Sequence, residues 1–226
     1  NIMSKTADQI ITAAYVEAKR KTPAPASGTP QYNALLAILD NMQKVWAAEP
    51  DIEWNSLYSI VNNGAITATN SFVLDTTIDY IVKRETDPIY TATASTGVTR
   101  VNYPLVQPNQ LYINNDVNVV AHAGANLLFP RSFVATDTNF GWNIYVPAIL
   151  KVSDIDAGDD VVQVDDPTWL IFMLAADFIR NDVVRQNQYG QLVAYAQEIM
   201  RKMKQKNQGQ TEEVSTEWSP NGGENL

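Results

Sequence analysis

The chain has no cysteine, one histidine, few glycines and few charges for its length. Without thiols there can be no disulfides, thiolate metal sites or cysteine nucleophiles, and the chain is indifferent to redox compartment. One histidine, His122, leaves little material for acid–base catalysis. A Ser-His-Asp triad is formally open, but no GxSxG elbow accompanies it, and VVAHAGAN reads as a strand running into a small-residue loop. The ten glycines are scattered, and neither GxxxxGK nor GxGxxG occurs, so no phosphate-cradling loop is expected. No apolar run reaches the roughly 18 residues of a membrane-spanning helix. The first 21 residues are amphipathic and carry no signal-peptide core. A soluble chain, or one held in a protein assembly and away from membranes, is the expectation.

Charged residues make up 18 % of the chain, below the roughly 25 % of ordinary domains, and 20 Asn, 13 Gln and 18 Thr fill the gap. Positive charge is the scarcer sign, with 16 Lys and Arg against 25 Asp and Glu and a net charge of −9. That balance argues against a dedicated nucleic-acid binder, which shows a basic footprint. It suits a protein that must avoid gripping DNA. At 45 % hydrophobic, the 226 residues can bury a sizeable core in one or two domains.

Thr6 with Gln9 three residues later forms a capping-box signature. Ile10, Ile11, Ala14, Tyr15 and Ala18 follow at helical spacing, predicting a helix over 7–21 that stops at TPAPASGTP. Leu35, Leu36, Leu39, Met42, Val45 and Trp46 predict a second helix over 31–48, ended by Pro50. Residues 52–61 read as a helical turn or two before the turn signal Asn62-Asn63-Gly64. Composition then shifts to Thr, Val, Ile, Tyr and Asn. Strands are expected at 65–74, 77–84, 98–103, 111–113, 117–121, 142–152 and 161–164, with a topology the pattern does not give. No internal repeat is apparent.

Asp166 and Pro167 then open the clearest element, with Asp166 as cap and Pro167 where its missing N–H costs nothing. Trp169, Phe172, Ala176, Ile179, Val183, Leu192 and Met200 sit on a stripe predicting one helix over 166–206, with Gly190 as a kink or close-packing point. Such a helix is longer than a small core can cover, so part of its stripe is expected to meet another chain. Residues 207–226 lack periodicity, hold four Glu and no Lys or Arg, and read as an extended tail. The whole is an α+β expectation: N-terminal helices over 1–64, a β-rich insertion over 65–165, a long C-terminal helix over 166–206 packed on the first helices, and the tail.

Three constellations hold side chains that can do chemistry. The acidic stretch Asp154, Asp156, Asp159, Asp160, Asp165 and Asp166 fails the EF-hand pattern, because Gly158 falls one position early and no distal Glu follows. It reads as a turn with Ala157-Gly158 at its tip. A carboxylate pair for sugar hydrolysis has no specific signal among 25 acids. The basic run Arg201, Lys202, Lys204 and Lys206 reads either as cations complementing a helix C-terminus or as a contact to an acidic partner. No catalytic residue, metal site or cofactor is expected.

TADQIITAAYVEAKRK, a Pro/Gly loop, and NALLAILDNMQKVWAAEPDIEW together resemble the N-terminal helical pair of tailed-bacteriophage head-to-tail adaptor proteins. The matching features are Thr6-Ala7 and the run Leu39, Met42, Trp46, Ala47, Ala48 and Glu49. DDPTWLIFMLAADFIRNDVVRQNQYGQLVAYAQEIMRKMK resembles the long final helix of those proteins, and RNDVVRQNQYGQL is its most distinctive string. The resemblance implies a structural virion protein at the head–tail junction, made in the bacterial host cytoplasm. Copies form a ring, usually of twelve, beneath the portal protein. DNA passes non-specifically through the ring, which is a platform for the next tail or nozzle component. The C-terminal segment reaches the portal. On this reading the portal or subunit interface residues are Arg180, Asn181, Arg185, Gln186, Asn187 and Gln188, the basic run Arg201, Lys202, Lys204 and Lys206, and Trp218 as an aromatic anchor. The alternatives are another tail-completion or capsid-associated virion protein and, more remotely, a cell-wall glycoside hydrolase.

Overall fold

A computed structural model describes residues 4–20, 22–50, 52–83, 87–95, 99–111, 113 and 118–215, with side chains as far as residue 208. The fold is α+β and divides into two units, Asn1–Ser56 with Val152–Leu226, and Leu57–Lys151. Trp218 lies outside the described residues.

The first unit is helical, with α1 at Ala7–Glu17, α2 at Pro30–Ala47, α3 at Thr168–Ile179 and α4 at Gln186–Ser215. The capping box forms as expected: Thr6 Oγ1 accepts from the Gln9 amide and Gln9 Oε1 from the Thr6 amide. The two amides left over, of Ala7 and Asp8, donate to the carbonyls of Asp160 and Gly158, both at 2.9 Å. The acidic segment therefore completes the α1 cap, and α2 pins it from the other side. Gln43, fully buried, donates to the Ser153 carbonyl and accepts from the Gln163 amide, while Lys44 bridges Asp40 and Asp154. The strand expected at 161–164 is only a single bridge between Val161 and Thr6.

Helix α1 ends four residues earlier than the periodicity suggests. Lys19 takes a left-handed conformation at φ 49°, its amide donates to Val16 O and that of Arg20 to Tyr15 O, which is a Schellman stop. Helix α2 begins at Pro30, capped by Thr29 Oγ1 on the Tyr32 amide.

The single helix expected over 166–206 is instead two. α3 stops at Ile179, a short 3₁₀ turn follows at Val183–Arg185, and α4 returns antiparallel along α3. The break is local chemistry. Asp182 Oδ1 accepts from the Val184 amide at 3.0 Å, an Asx-type cap that starts the next helix, and the β-branched Val183-Val184 pair adds little helical preference. Gly190 lies inside unbroken α4. The stripe is thus largely satisfied within the chain, since Leu192, Ala196 and Met203 of α4 are buried alongside Leu170 and Leu174 of α3. Asp166 caps as expected in part, its carboxylate accepting from the Thr168 amide. The helix also overruns the expected end, and Asn207 is not the start of a tail. It is buried, accepts from the Asn55 amide and donates to the Glu53 carbonyl.

In the second unit, the eight-residue β9 (Asn143–Leu150) is the central strand of a five-stranded antiparallel sheet. It pairs with β1 (Tyr58–Ala65) on one side and with β3 (Ile78–Ile81) and β4 (Ile89–Ala92) on the other, with β5 (Arg100–Tyr103) beyond β4. Pro147 is tolerated in β9 because it falls between the β3 and β4 pairings, and its carbonyl accepts from Val82. A second sheet, ordered β2 (Ser71–Val73), β8 (Asn126–Leu128), β7 (Val120–Ala123), β6 (Leu105–Val106), shares a core with the first through Phe72, Leu127, Phe129, Tyr103, Ile144 and Val146. The helical turns expected at 52–61 give way to β1, whose residues from Tyr58 on pair with β9. Asn62-Asn63-Gly64 is a bulge inside that strand, with Gly64 at φ 96°. Strand 65–74 shrinks to β2. Leu111 and Ile113, where the pattern suggested a strand, lie in turns after a 3₁₀ turn at Pro108–Gln110, and residue 112 lies outside the described residues.

Candidate functional site

The string 180–188, expected on a helix face, is the tip of the α3–α4 hairpin. Its polar residues are mostly spent on helix ends. Arg185 Nη1 donates to Ala18 O at 2.8 Å and Gln188 Nε2 to Glu17 O at 3.1 Å, so the last α1 carbonyls are capped from the tip. Arg20 returns the favour by donating to Phe178 O near the end of α3 and lying over the Phe178 ring. Tyr15 meets the same ring edge-on at 4.7 Å. Gln186 Nε2 donates to the carbonyls of Arg180 and Asp182. Arg180 and Arg185 face Asp177 at 3.5 Å and Asp182 at 3.4 Å. Asn181 and Asn187 are exposed. Two helix C-termini and several guanidinium groups thus share one end of the unit, a favourable arrangement for the helix dipoles.

What the tip presents outward is apolar. Val183 is 84 % and Val184 94 % exposed, whereas the periodicity placed Val183 in a buried stripe. Burying both side chains is worth about 3–6 kcal/mol. Association costs about 4–15 kcal/mol in lost freedom, so two valines alone would not hold a partner.

Beside the tip lies an open groove of about 600 Å³. Helix α2 contributes Ala37, Ile38 and Met42, α3 contributes Met173 and Ala176, and α4 contributes Tyr189 and Val193; Asn41, Asp177 and Arg180 are its polar members. Sequence reasoning missed the groove. Its signal in the sequence is weak, because Met42 shares the helical spacing of the α2 core face and the continuous spacing of α3 and α4 hides that they face each other.

The basic run does not end a helix, because α4 continues to Ser215, so the dipole explanation falls away. Arg201 forks onto Glu198 at 2.8 and 2.7 Å, and Lys202 approaches the same carboxylate at 3.6 Å. Those hydrogen bonds and charges, the Arg201 bond foremost, hold the Glu198 carboxyl down at about 2. Lys204 pairs with Glu49 and Lys206 is exposed.

In the strand unit, a cavity of about 200 Å³ is lined by Tyr103, Phe129, Phe133, Arg131, Asp137 and Asn139. Its polar groups bind one another: Asn139 donates to Tyr103 Oη, and Arg131 forks onto Asp137. His122 is exposed on β7. Among the described residues no group of three or more His, Asp or Glu is placed to hold a metal, and no helix is long and apolar enough to cross a membrane. No protein-family model matches the chain, and no curated protein matches it either.

Proposed function

We propose that this chain is a structural virion protein, a head-to-tail adaptor whose copies form a ring on the portal, extend the DNA channel and carry the next tail component. One arrangement supports the reading above others. The two stretches that carry the resemblance, far apart in sequence, fold into a single helical unit, and the β-rich stretch between them is a unit of its own. In that helical unit an exposed valine tip and an apolar groove offer surface for assembly. The net charge of −9 suits a lumen that repels phosphates and lets DNA slide. In this account Trp218 and the last residues attach to the portal, and Lys206 meets an acidic partner surface. The test is to mix the purified protein with the portal protein of the same genome and image the product. A ring on the portal supports the reading, and a protein that stays free of the portal rejects it.

A further inference from the structure

We propose that Asn63-Gly64 is a site of self-modification that the folded strand unit holds closed, and that its product, aspartate or isoaspartate, loosens the unit once formed. The inference concerns the strand unit and stands apart from the adaptor reading.

The Asn63 side chain links β1 of one sheet to the end of β2 in the other. Its Nδ2 donates to Val73 O at 2.9 Å, and its Oδ1 accepts from the Asp75 amide at 2.7 Å. Gly64 follows because the bulge in β1 needs φ 96°, a conformation glycine adopts without steric penalty. The bulge therefore sets next to Asn63 the residue whose own nitrogen is least hindered as a nucleophile. Among the described residues it is the only Asn-Gly pair. On losing its proton, the Gly64 nitrogen can attack Asn63 Cγ. A C–N bond forms, the side-chain nitrogen leaves as ammonia, and a five-membered succinimide results. Water then opens the ring at either carbonyl. One opening gives aspartate on the ordinary backbone, and the other gives isoaspartate with one more carbon in the backbone. Asn62 and Gly64 are exposed, so water reaches the site. In the fold, three hydrogen bonds oppose ring closure. The Gly64 amide donates its proton to Asn62 Oδ1 at 3.0 Å. Closure also makes Cγ tetrahedral, which moves the Asn63 oxygen and nitrogen off the partners that hold them. The reaction therefore runs from the locally opened state, and bonds of this kind slow it by about tenfold or more. The product reverses the link. A carboxylate has no N–H, so Val73 O loses its donor and meets a negative oxygen instead. Isoaspartate also lengthens β1 by a backbone carbon at the bulge and disturbs its register with β9. Opening thus speeds a change that favours further opening.

The test uses the full chain, incubated at mildly alkaline pH either folded in buffer or unfolded in guanidinium chloride. Acid digests are followed by mass spectrometry of the peptide that carries Asn63. Loss of Asn63 should be at least about tenfold faster in the unfolded chain. Asn62→Ala releases the Gly64 N–H and should speed the reaction severalfold in buffer while leaving the unfolded rate unchanged. Asn63→Asp installs one product in advance and should melt several degrees below wild type by circular dichroism. Equal rates in the folded and unfolded chain, an unchanged rate in folded Asn62→Ala, or an Asn63→Asp protein that melts with wild type overturns the proposal. No portal takes part in this experiment, so its failure leaves the adaptor reading untouched.

Discussion

Gly158→Ala should unfold the helical unit far more readily than a surface glycine has any right to. A Cβ at this position would lie 2.2 Å from Tyr32 Oη and 2.8 Å from Asp8 Cγ and Oδ1. Tyr32 is 3 % exposed and donates its hydroxyl hydrogen bond to Asp8, so the Tyr32 ring cannot step aside freely, and the exposed Asp8 carboxylate turns away only by giving up that bond. The Gly158 carbonyl meanwhile caps the Asp8 amide, so moving the loop instead uncaps α1. Overpacking costs about 1–3 kcal/mol and a lost cap or charged hydrogen bond about 1–2 kcal/mol more, giving a loss of about 2–5 kcal/mol. At roughly 3–5 °C per kcal/mol for a unit of this size, melting should fall by roughly 6–25 °C. Urea unfolding followed by tryptophan fluorescence reports on it, since Trp46 and Trp54 stack at 4.7 Å inside the same unit. Tyr32→Phe removes the closest atom. The double variant should therefore lose less than the sum of the two single losses by about 1 kcal/mol or more. A Gly158→Ala protein within about 0.5 kcal/mol of wild type, or strictly additive losses, would refute the reasoning.

Four further outcomes are expected. Lys19→Gly relieves a left-handed, non-glycine stop and should stabilise the unit by about 0.5–1 kcal/mol in the same urea assay; a neutral or negative change contradicts the strain. Arg185→Ala removes a charged bond to an α1 carbonyl and should cost about 1–2 kcal/mol, whereas Arg180→Ala, whose ion pair is largely exposed, should stay within about 0.5 kcal/mol; equal losses would contradict the capping role. Burial, and then the bond to Asp8, push the Tyr32 hydroxyl from 10.0 up to about 12. A raised folded-state value means stability that is whole below pH 10 and is lost as pH rises from there through about 12, so Tyr32→Phe should show a smaller fall across that window than wild type; identical curves would dismiss the contribution.

Two helix starts were legible because caps are local: Thr6 with Gln9 and the Asp166 carboxylate each act within three residues. The Thr29 cap of α2, with Pro30 behind it, was not read from the sequence. The hairpin was hidden because both α3 and α4 keep a three-and-four spacing, and the eye joins them across Arg180–Arg185. Only the Asn181-Asp182 pair and two adjacent valines marked the turn. Strand β1 was hidden for a different reason. Its partner β9 lies far along the chain, with Ala65 paired to Asn143 and Tyr58 to Ile149, and no local window contains that pairing. The stretch Arg180–Gln188 was legible as an unusual string, but not the work its side chains do. Arg185 and Gln188 spend themselves on the carbonyls at the end of α1, while Val183, assigned inward by periodicity, faces solvent beside Val184.

The central claim is portal-dependent ring assembly, and sedimentation of the protein alone and with the portal protein of the same genome, followed by electron microscopy of the heavy fraction, tests it most directly. The account predicts a predominantly monomeric protein that sediments with the portal and appears as a ring on one of its faces, with DNA passing through the centre. A protein that remains slow in the presence of portal, or that forms stable rings without it, would contradict the account.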